Sequence, residues 1–424
     1  MKVTSRFALA AALGFSVAVA GVGAPALAAK KKDEKPAAPT LKLSDGVRKE
    51  LAPAQDALGK KDLATADAAI ARARAAAKTP DDSFMVAQFA LNSAQASGDQ
   101  ARLSSALDEL ITTGEAAGQL SAADKVKYYG FQGSFAYQAK DYQKTERALS
   151  AAVAAGSTNA QDFAVLADVQ AKNGRPADAL ATIQKLIDAN KASGAAIPNE
   201  YYARAADIAS RGKMPQQFAN ITTAWLAAYP ARQNWHDALM IYRQLAALQG
   251  DADLDVLRLG RAAGVLPLAT QATYIDYALA VYLKYPGEAV AVLNEGIKAG
   301  KLSKASSKNT AEILALSEPK IGPDRASLPS SVTAANGAKA SFKSVETTGD
   351  VFYGYNDFAK AAEMYKLALT KPGADPAMGN VRLGAALAQA GDKEGARAAF
   401  NAVTTGPYAV IANYWKVLLD HPAS

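Results

Sequence analysis

The stretch YNDFAKAAEMYKLAL, Tyr355–Leu369, decides the fold. Its apolar residues are Phe358, Ala361, Ala362, Tyr365, Ala368 and Leu369, with gaps of three, one, three, three and one. That spacing is one face of a helix. Alanines hold the middle of the face and aromatics its flanks. A face meant only to bury area would favour Leu and Ile. Small residues at fixed places indicate a second helix passing very close.

The same frame recurs along the chain. Gly349 stands 16 residues before Tyr365, and Gly384 stands 16 before Phe400, with Ala361 and Ala396 twelve after each glycine. Anchors at Ala54, Leu91, Gly133, Ala167, Ala205, Arg243, Tyr277, Gly349 and Gly384 are separated by 37, 42, 34, 38, 38, 34, 72 and 35 residues. Sixteen after them stand Ile70, Leu107, Leu149, Ile183, Ile221, Leu259, Leu293, Tyr365 and Phe400, all large and apolar. Seven after them stand Lys61, Gly98, Lys140, Gly174, Gly212, Gly250, Lys284, Asn356 and Gly391, mostly helix-stop residues. The step of 72 holds a degenerate unit around 305–340, where Pro319, Pro323 and Pro329 predict short or broken helices. PYAVIANYWKVLL, from Pro407, predicts a last helix that caps an open end.

These residues resemble the tetratricopeptide repeat (TPR) family, whose units are helix–turn–helix pairs of about 34 residues. The resemblance is carried best by Gly349, Phe358, Ala361, Tyr365 and Ala368, and then by Gly384, Ala396 and Phe400. It implies an all-α, right-handed superhelical solenoid of about nine to ten TPR-like units with a C-terminal capping helix. The divisions expected are a signal peptide at 1–28, a charged linker at 29–43, divergent units at 44–304, a degenerate unit at 305–340, two well-formed units at 341–406, and a cap and tail at 407–424.

The start of the chain reads as an export signal. Lys2 and Arg6 precede the apolar run FALAAALGFSVAVAGVGA, and Ala26 and Ala28 supply an A-x-A cleavage pattern. Cleavage there leaves 45 basic and 40 acidic residues, a net charge of +5. That mild, dispersed charge argues against nucleic-acid binding. The chain has no cysteine, hence no disulfide framework and no lipid attachment at the mature end. The expected location is outside the cytoplasm, in a bacterial periplasm or secreted, without stable membrane insertion after cleavage.

A search for chemistry finds little. His236 and His421 are the only histidines, too few for multi-histidine zinc sites. There is no G-x-S-x-G and no phosphate loop. The S-x-x-K match at Ser210–Lys213 falls on a repeat turn and reads as chance. DADLD, Asp251–Asp255, starts like a calcium loop, but Val256 holds the place of the required glycine and Ala262 that of the closing acid. No catalytic residue, cofactor or metal is expected.

A surface remains. In the TPR family the first helix of each unit lines a concave groove. Carried onto this chain, the groove places are Lys127, Tyr137, Asp168, Tyr202, Gln244, Tyr274, Tyr282, Asp350 and Tyr353. Tyrosine is common in such surfaces because it offers area with few rotors and a polar tip. The other reading of these tyrosines is burial between units. The function expected is a non-catalytic adaptor of the cell envelope that binds a partner protein or peptide. The alternative is a peptidoglycan-binding or glycan-cleaving envelope protein with a superhelical fold.

Overall fold

The computed structural model describes residues 41–305 and 307–424. The expected signal segment and the linker as far as residue 40 lie outside them. Every regular element among the described residues is helical. The chain divides into two compact lobes, one ending at Ala189 and one starting at Asn190.

The first lobe is a run of helix pairs. They are α1 (Asp45–Gly59) with α2 (Leu63–Ala76), α3 (Pro80–Ser97) with α4 (Gln100–Ala116), α5 (Ala122–Gln138) with α6 (Tyr142–Ala154), and α7 (Ala160–Lys172) with α8 (Pro176–Ala192). The turn within a pair is built one way repeatedly. One residue takes a left-handed conformation, at Lys61 (φ 60°), Gly98 (68°) and Lys140 (62°). An aspartate follows and caps the next helix: Asp62 accepts from the Thr65 amide, Asp99 from those of Ala101 and Arg102, and Asp141 from that of Lys144. Each cap satisfies an amide that lacks a partner within its helix.

The anchor and the residue sixteen on meet where the pair closes. A Cβ on Gly133 would stand 2.4 Å from Leu149, one on Gly349 2.7 Å from Tyr365, and one on Gly384 2.4 Å from Phe400. Glycine is needed there because the partner side chain occupies that space. Ala361, Ala368 and Ala396 are fully buried, as helices in close contact require. Eight of the nine large residues at the sixteenth place are buried; Ile221 is half-buried. In that pair the frame slips by one residue: Ala206 and Thr222 are buried, and Lys213 rather than Gly212 takes the positive φ (54°). Lys284 takes no positive φ, because the stop there leads directly into a helix begun by Pro286.

The second lobe continues the pairs: α9 (Asn199–Arg211) with α10 (Pro215–Ala228), α11 (Arg232–Leu245) with α12 (Gly250–Ala262), and α13 (Gln271–Val281) with α14 (Pro286–Lys298). Then come α15 (Lys308–Ser317), α16 (Ile321–Ala335), the pairs α17 (Phe342–Gly354) with α18 (Phe358–Ala368) and α19 (Pro376–Ala390) with α20 (Lys393–Asn401), and finally α21 (Gly406–Asp420). The proline-rich segment is less broken than expected. A 3-10 turn at Glu318–Lys320 joins α15 to α16, and α16 runs 15 residues through Pro329. Only Ala335 of α16 is buried, and the residue whose carbonyl Pro329 leaves without an intrahelical amide, Arg325, is exposed.

The last helix covers the final pair, as expected, and does more. It returns to the beginning of its own lobe and packs on α10, α12, α19 and α20. The Tyr414 hydroxyl lies 2.6 Å from Thr222 Oγ1, and its ring meets Tyr242 edge-on at 5.8 Å. Trp415 stacks on Phe400 at 5.9 Å. Ser424 exchanges two backbone hydrogen bonds of 3.0 Å with Pro230 and Arg232. The second lobe is therefore closed on itself.

Candidate functional site

Closure brings four helices around a buried group of charges. Asp251, Asp255 and Arg258 lie along one side of α12 at spacings of four and three. Glu288 and Glu295 lie on α14, Glu346, Asp350 and Tyr353 on α17, and Arg382 on α19. Arg258 donates to both Glu288 oxygens (2.9 and 2.7 Å) and to Asp350 Oδ1 (2.7 Å). Arg382 donates to Asp350 Oδ2 (2.9 Å), Asp255 Oδ1 (3.1 Å) and Asp251 Oδ1 (2.8 Å), and it pairs with Glu346. Lys343 reaches Glu346 from the rim at 3.0 Å. Three buried tyrosines complete the group: Tyr277 donates to Glu288 (2.8 Å), and Tyr285 and Tyr365 donate to Asp350 (2.6 and 2.7 Å).

Arg258, Arg382, Asp255, Glu288, Glu346 and Asp350 are each at most 3% exposed. Two buried arginines thus face four buried carboxylates. The excess of acid appears at Asp255, whose pKa is pushed up to about 6, chiefly by burial and against the pull of Arg382 and Arg258. Burial also holds the Tyr277 and Tyr365 hydroxyls well above their usual range, which keeps them as donors.

A cleft of about 640 Å3 opens beside this group. Leu266, Pro267, Tyr274, Tyr353 and Phe358 give it an apolar wall, and Arg258, Arg261, Glu295 and Lys298 give it charge. Arg261 makes a fork onto Glu295, at 2.7 to 3.1 Å. Tyr353 is held between the Arg258 guanidinium, 4.9 Å from the ring centre, and Phe358, 5.1 Å away and edge-on.

Three of the nine expected groove residues lie in the first lobe and six in the second. Lys127, Tyr137 and Asp168 lie in the first lobe and are half-buried. Tyr137 donates to Asp168 at 2.9 Å, and Lys172 pairs with the same carboxylate at 2.8 Å. Gln244 is exposed, and Tyr282 packs half-buried against a hydrophobic cluster. Tyr202, Tyr274, Asp350 and Tyr353 are buried rather than displayed. Asp350 is the centre of the ionic group, taking bonds from two arginines and two tyrosines. At Asp350 and Tyr353 the face that an open array would present is covered by Arg258 of α12 and Arg382 of α19. Tyr274 and Tyr353 reach only the cleft.

Arg258, Glu288, Glu346 and Arg382 escaped sequence reasoning. Their one signal was charge at helical spacing inside apolar helices: Arg258 sits between Leu257 and Leu259, both fully buried. The calcium-like acids have other roles, since Asp251 and Asp255 pair with Arg382 and Asp253 with Arg243. His236 lies on α11, its Nδ1 3.0 Å from Asp237 Oδ1.

No family model matches the sequence, and no curated protein matches it. Solved structures of similar fold are helical repeat proteins. A tetratricopeptide repeat protein from Parabacteroides merdae is 9% identical, with 81% of this chain and all of that one covered and a TM-score of 0.29. The pentatricopeptide repeat protein PPR10 from maize is 14% identical over 88% of this chain and 61% of that one, at 0.28. The P58(IPK) TPR domain is 13% identical over 84% and 92%, at 0.21. Scores this low carry no argument about function. The TPR-like character of the chain rests on its own paired helices and on the anchor contacts at Gly133, Gly349 and Gly384.

Proposed function

We propose that the chain is a non-catalytic interaction scaffold of the cell envelope that holds a partner protein or peptide. One observation carries this reading. Among the described residues the large, exposed hydrophobic side chains are Ile241, Leu268, Leu279, Leu283 and Leu316, all within one stretch of the second lobe. Leu279, near the end of α13, and Leu283, in the turn after it, are 48% and 69% exposed. Single exposed leucines need no explanation; Leu279 and Leu283, four residues apart at the end of α13, form a pair that favours a contact surface. The acids and bases nearest the cleft are held in arginine–carboxylate pairs, which suits a fixed scaffold better than proton transfer.

The test is capture from an envelope extract, set beside binding to purified peptidoglycan. Leu279→Asp with Leu283→Asp should reduce capture of the partner while leaving the melting temperature near wild type. Peptidoglycan binding that survives the double change, with no protein captured by either form, would favour the glycan alternative. Export is part of the same proposal. The mature protein should begin at Ala29, and an intact Met1 on a membrane-bound form would contradict it.

A further inference from the structure

Five buried tyrosines surround the ionic group and the cleft, and they fall into two sets. Tyr277, Tyr285 and Tyr365 each donate to a carboxylate. Tyr274 and Tyr353, 1% and 4% exposed, line the cleft, and neither hydroxyl has a hydrogen-bond partner among the described residues. The rings are buried, while the hydroxyl oxygens stay open to the cleft. Both rings are also fixed. Tyr353 is clamped by Arg258 and Phe358, and Tyr274 belongs to the hydrophobic cluster of α13 and α14.

Of the other polar side chains of the cleft, Arg258, Arg261 and Lys298 are donors, Asn356 and Gln389 can donate or accept, and Glu295 accepts. Arg261 uses Nε and Nη2 on Glu295, which leaves Nη1 without a partner among the described residues. Lys298 is exposed and makes no ion pair among them. The charges sum simply. Arg261 is paired with Glu295, and Arg258 with both Glu288 and Asp350, so these charges and Lys298 cancel, and Lys298 is the cation of the lining that makes no ion pair among the described residues. The cleft therefore offers one unpaired cation, two preset hydroxyls and an apolar wall, in a volume suited to a small molecule.

We infer that the cleft is a binding site for a small organic carboxylate with an aromatic or aliphatic body. The carboxylate takes the donors of Tyr274, Tyr353 and Lys298, and the body lies against Leu266, Pro267 and Phe358. This goes beyond the scaffold proposal and does not depend on it, because the exposed leucines are separate residues.

Cinnamate and octanoate, each set beside its neutral amide, are the probes, with N-acetylphenylalanine representing the end of a peptide chain. Calorimetry on the mature chain should give a Kd of about 1 mM or tighter for at least one free acid and at least tenfold weaker binding of its amide. Tyr353→Phe removes only the hydroxyl, and Lys298→Met removes only the charge. Each should weaken the acid severalfold, leave the amide unchanged and leave the melting temperature near wild type. Failure of both acids to bind, equal affinity for acid and amide, or undiminished binding to the double variant would overturn the inference. Preference for N-acetylphenylalanine over both acids, lost in its amide, would support the inference and mark a peptide end as the source of the carboxylate.

Discussion

The two lobes use the same helix pair and connect their pairs differently. In the first, polar links run from one pair to the next. Arg74 with Glu109 and Arg102 with Asp67 each span 35 residues, and Lys144 with Asp108 spans 36, all at or near the surface. In the second, some links keep that step, such as Arg261 with Glu295 at 34. Others cross the lobe: Arg258 reaches Asp350 over 92 residues, Arg382 reaches Asp255 over 127, and Thr222 meets Tyr414 over 192. The first lobe is close to a one-dimensional array, in which each pair feels only its neighbours. The second is tied through a shared centre, so damage in one place should spread.

The largest effect that could break this contrast is at Arg382. Arg382→Leu leaves Asp350, Glu346 and Asp255 buried with less compensation, and should cost about 3–5 kcal/mol. Denaturant unfolding would measure it, and a loss below about 1 kcal/mol would make the ionic centre unimportant. Gly133→Ala tests the first lobe. The added Cβ collides with Leu149, and overpacking of this kind costs about 1–3 kcal/mol. The accompanying loss of amide protection should stay with α5, α6 and their neighbours.

A smaller effect concerns pH. The Asp255 carboxyl is raised from 3.8 to about 6 in the folded protein. Between those values the folded state keeps a proton that the unfolded chain releases, so the contribution of Asp255 falls as pH rises through this window. Arg258 on its own helix, Arg382 on α19 and Asp350 on α17 are the charges that face it. Asp255→Asn should remove that part of the slope, which stability measured at a series of pH values would detect. The smallest effect is at Arg102, whose ion pair with Asp67 is about 40% exposed on both sides. Arg102→Ala should cost no more than about 1 kcal/mol and should matter less as salt rises.

How much of this was legible depended on the range of the interaction. The anchor and the residue sixteen on are local in the chain, so Gly349 with Tyr365 and Gly384 with Phe400 could be read from spacing. So could the helix stops, seven of which combine the expected place with a positive φ, at Lys61, Gly98, Lys140, Gly174, Gly250, Asn356 and Gly391. The slip at Ala206 was not legible, because Ala205 and Ala206 fit the pattern equally well. Closure was not legible either, since nothing in the local pattern of Tyr414 announces Thr222. The error at Asp350 and Tyr353 follows from closure, since α12 and α19 fill the face that should have been open there, whereas Tyr274 is buried within its own pair against Gly296 and Leu302.

Hydrogen exchange on the Arg382→Leu protein tests the central claim most directly. A lobe closed through its ionic centre predicts loss of protection in α12, α14, α17 and α19 together, and in α10 where Tyr414 docks. Loss confined to α17–α20, the sequence neighbours of the substitution, with α10, α12 and α14 still protected, would contradict it.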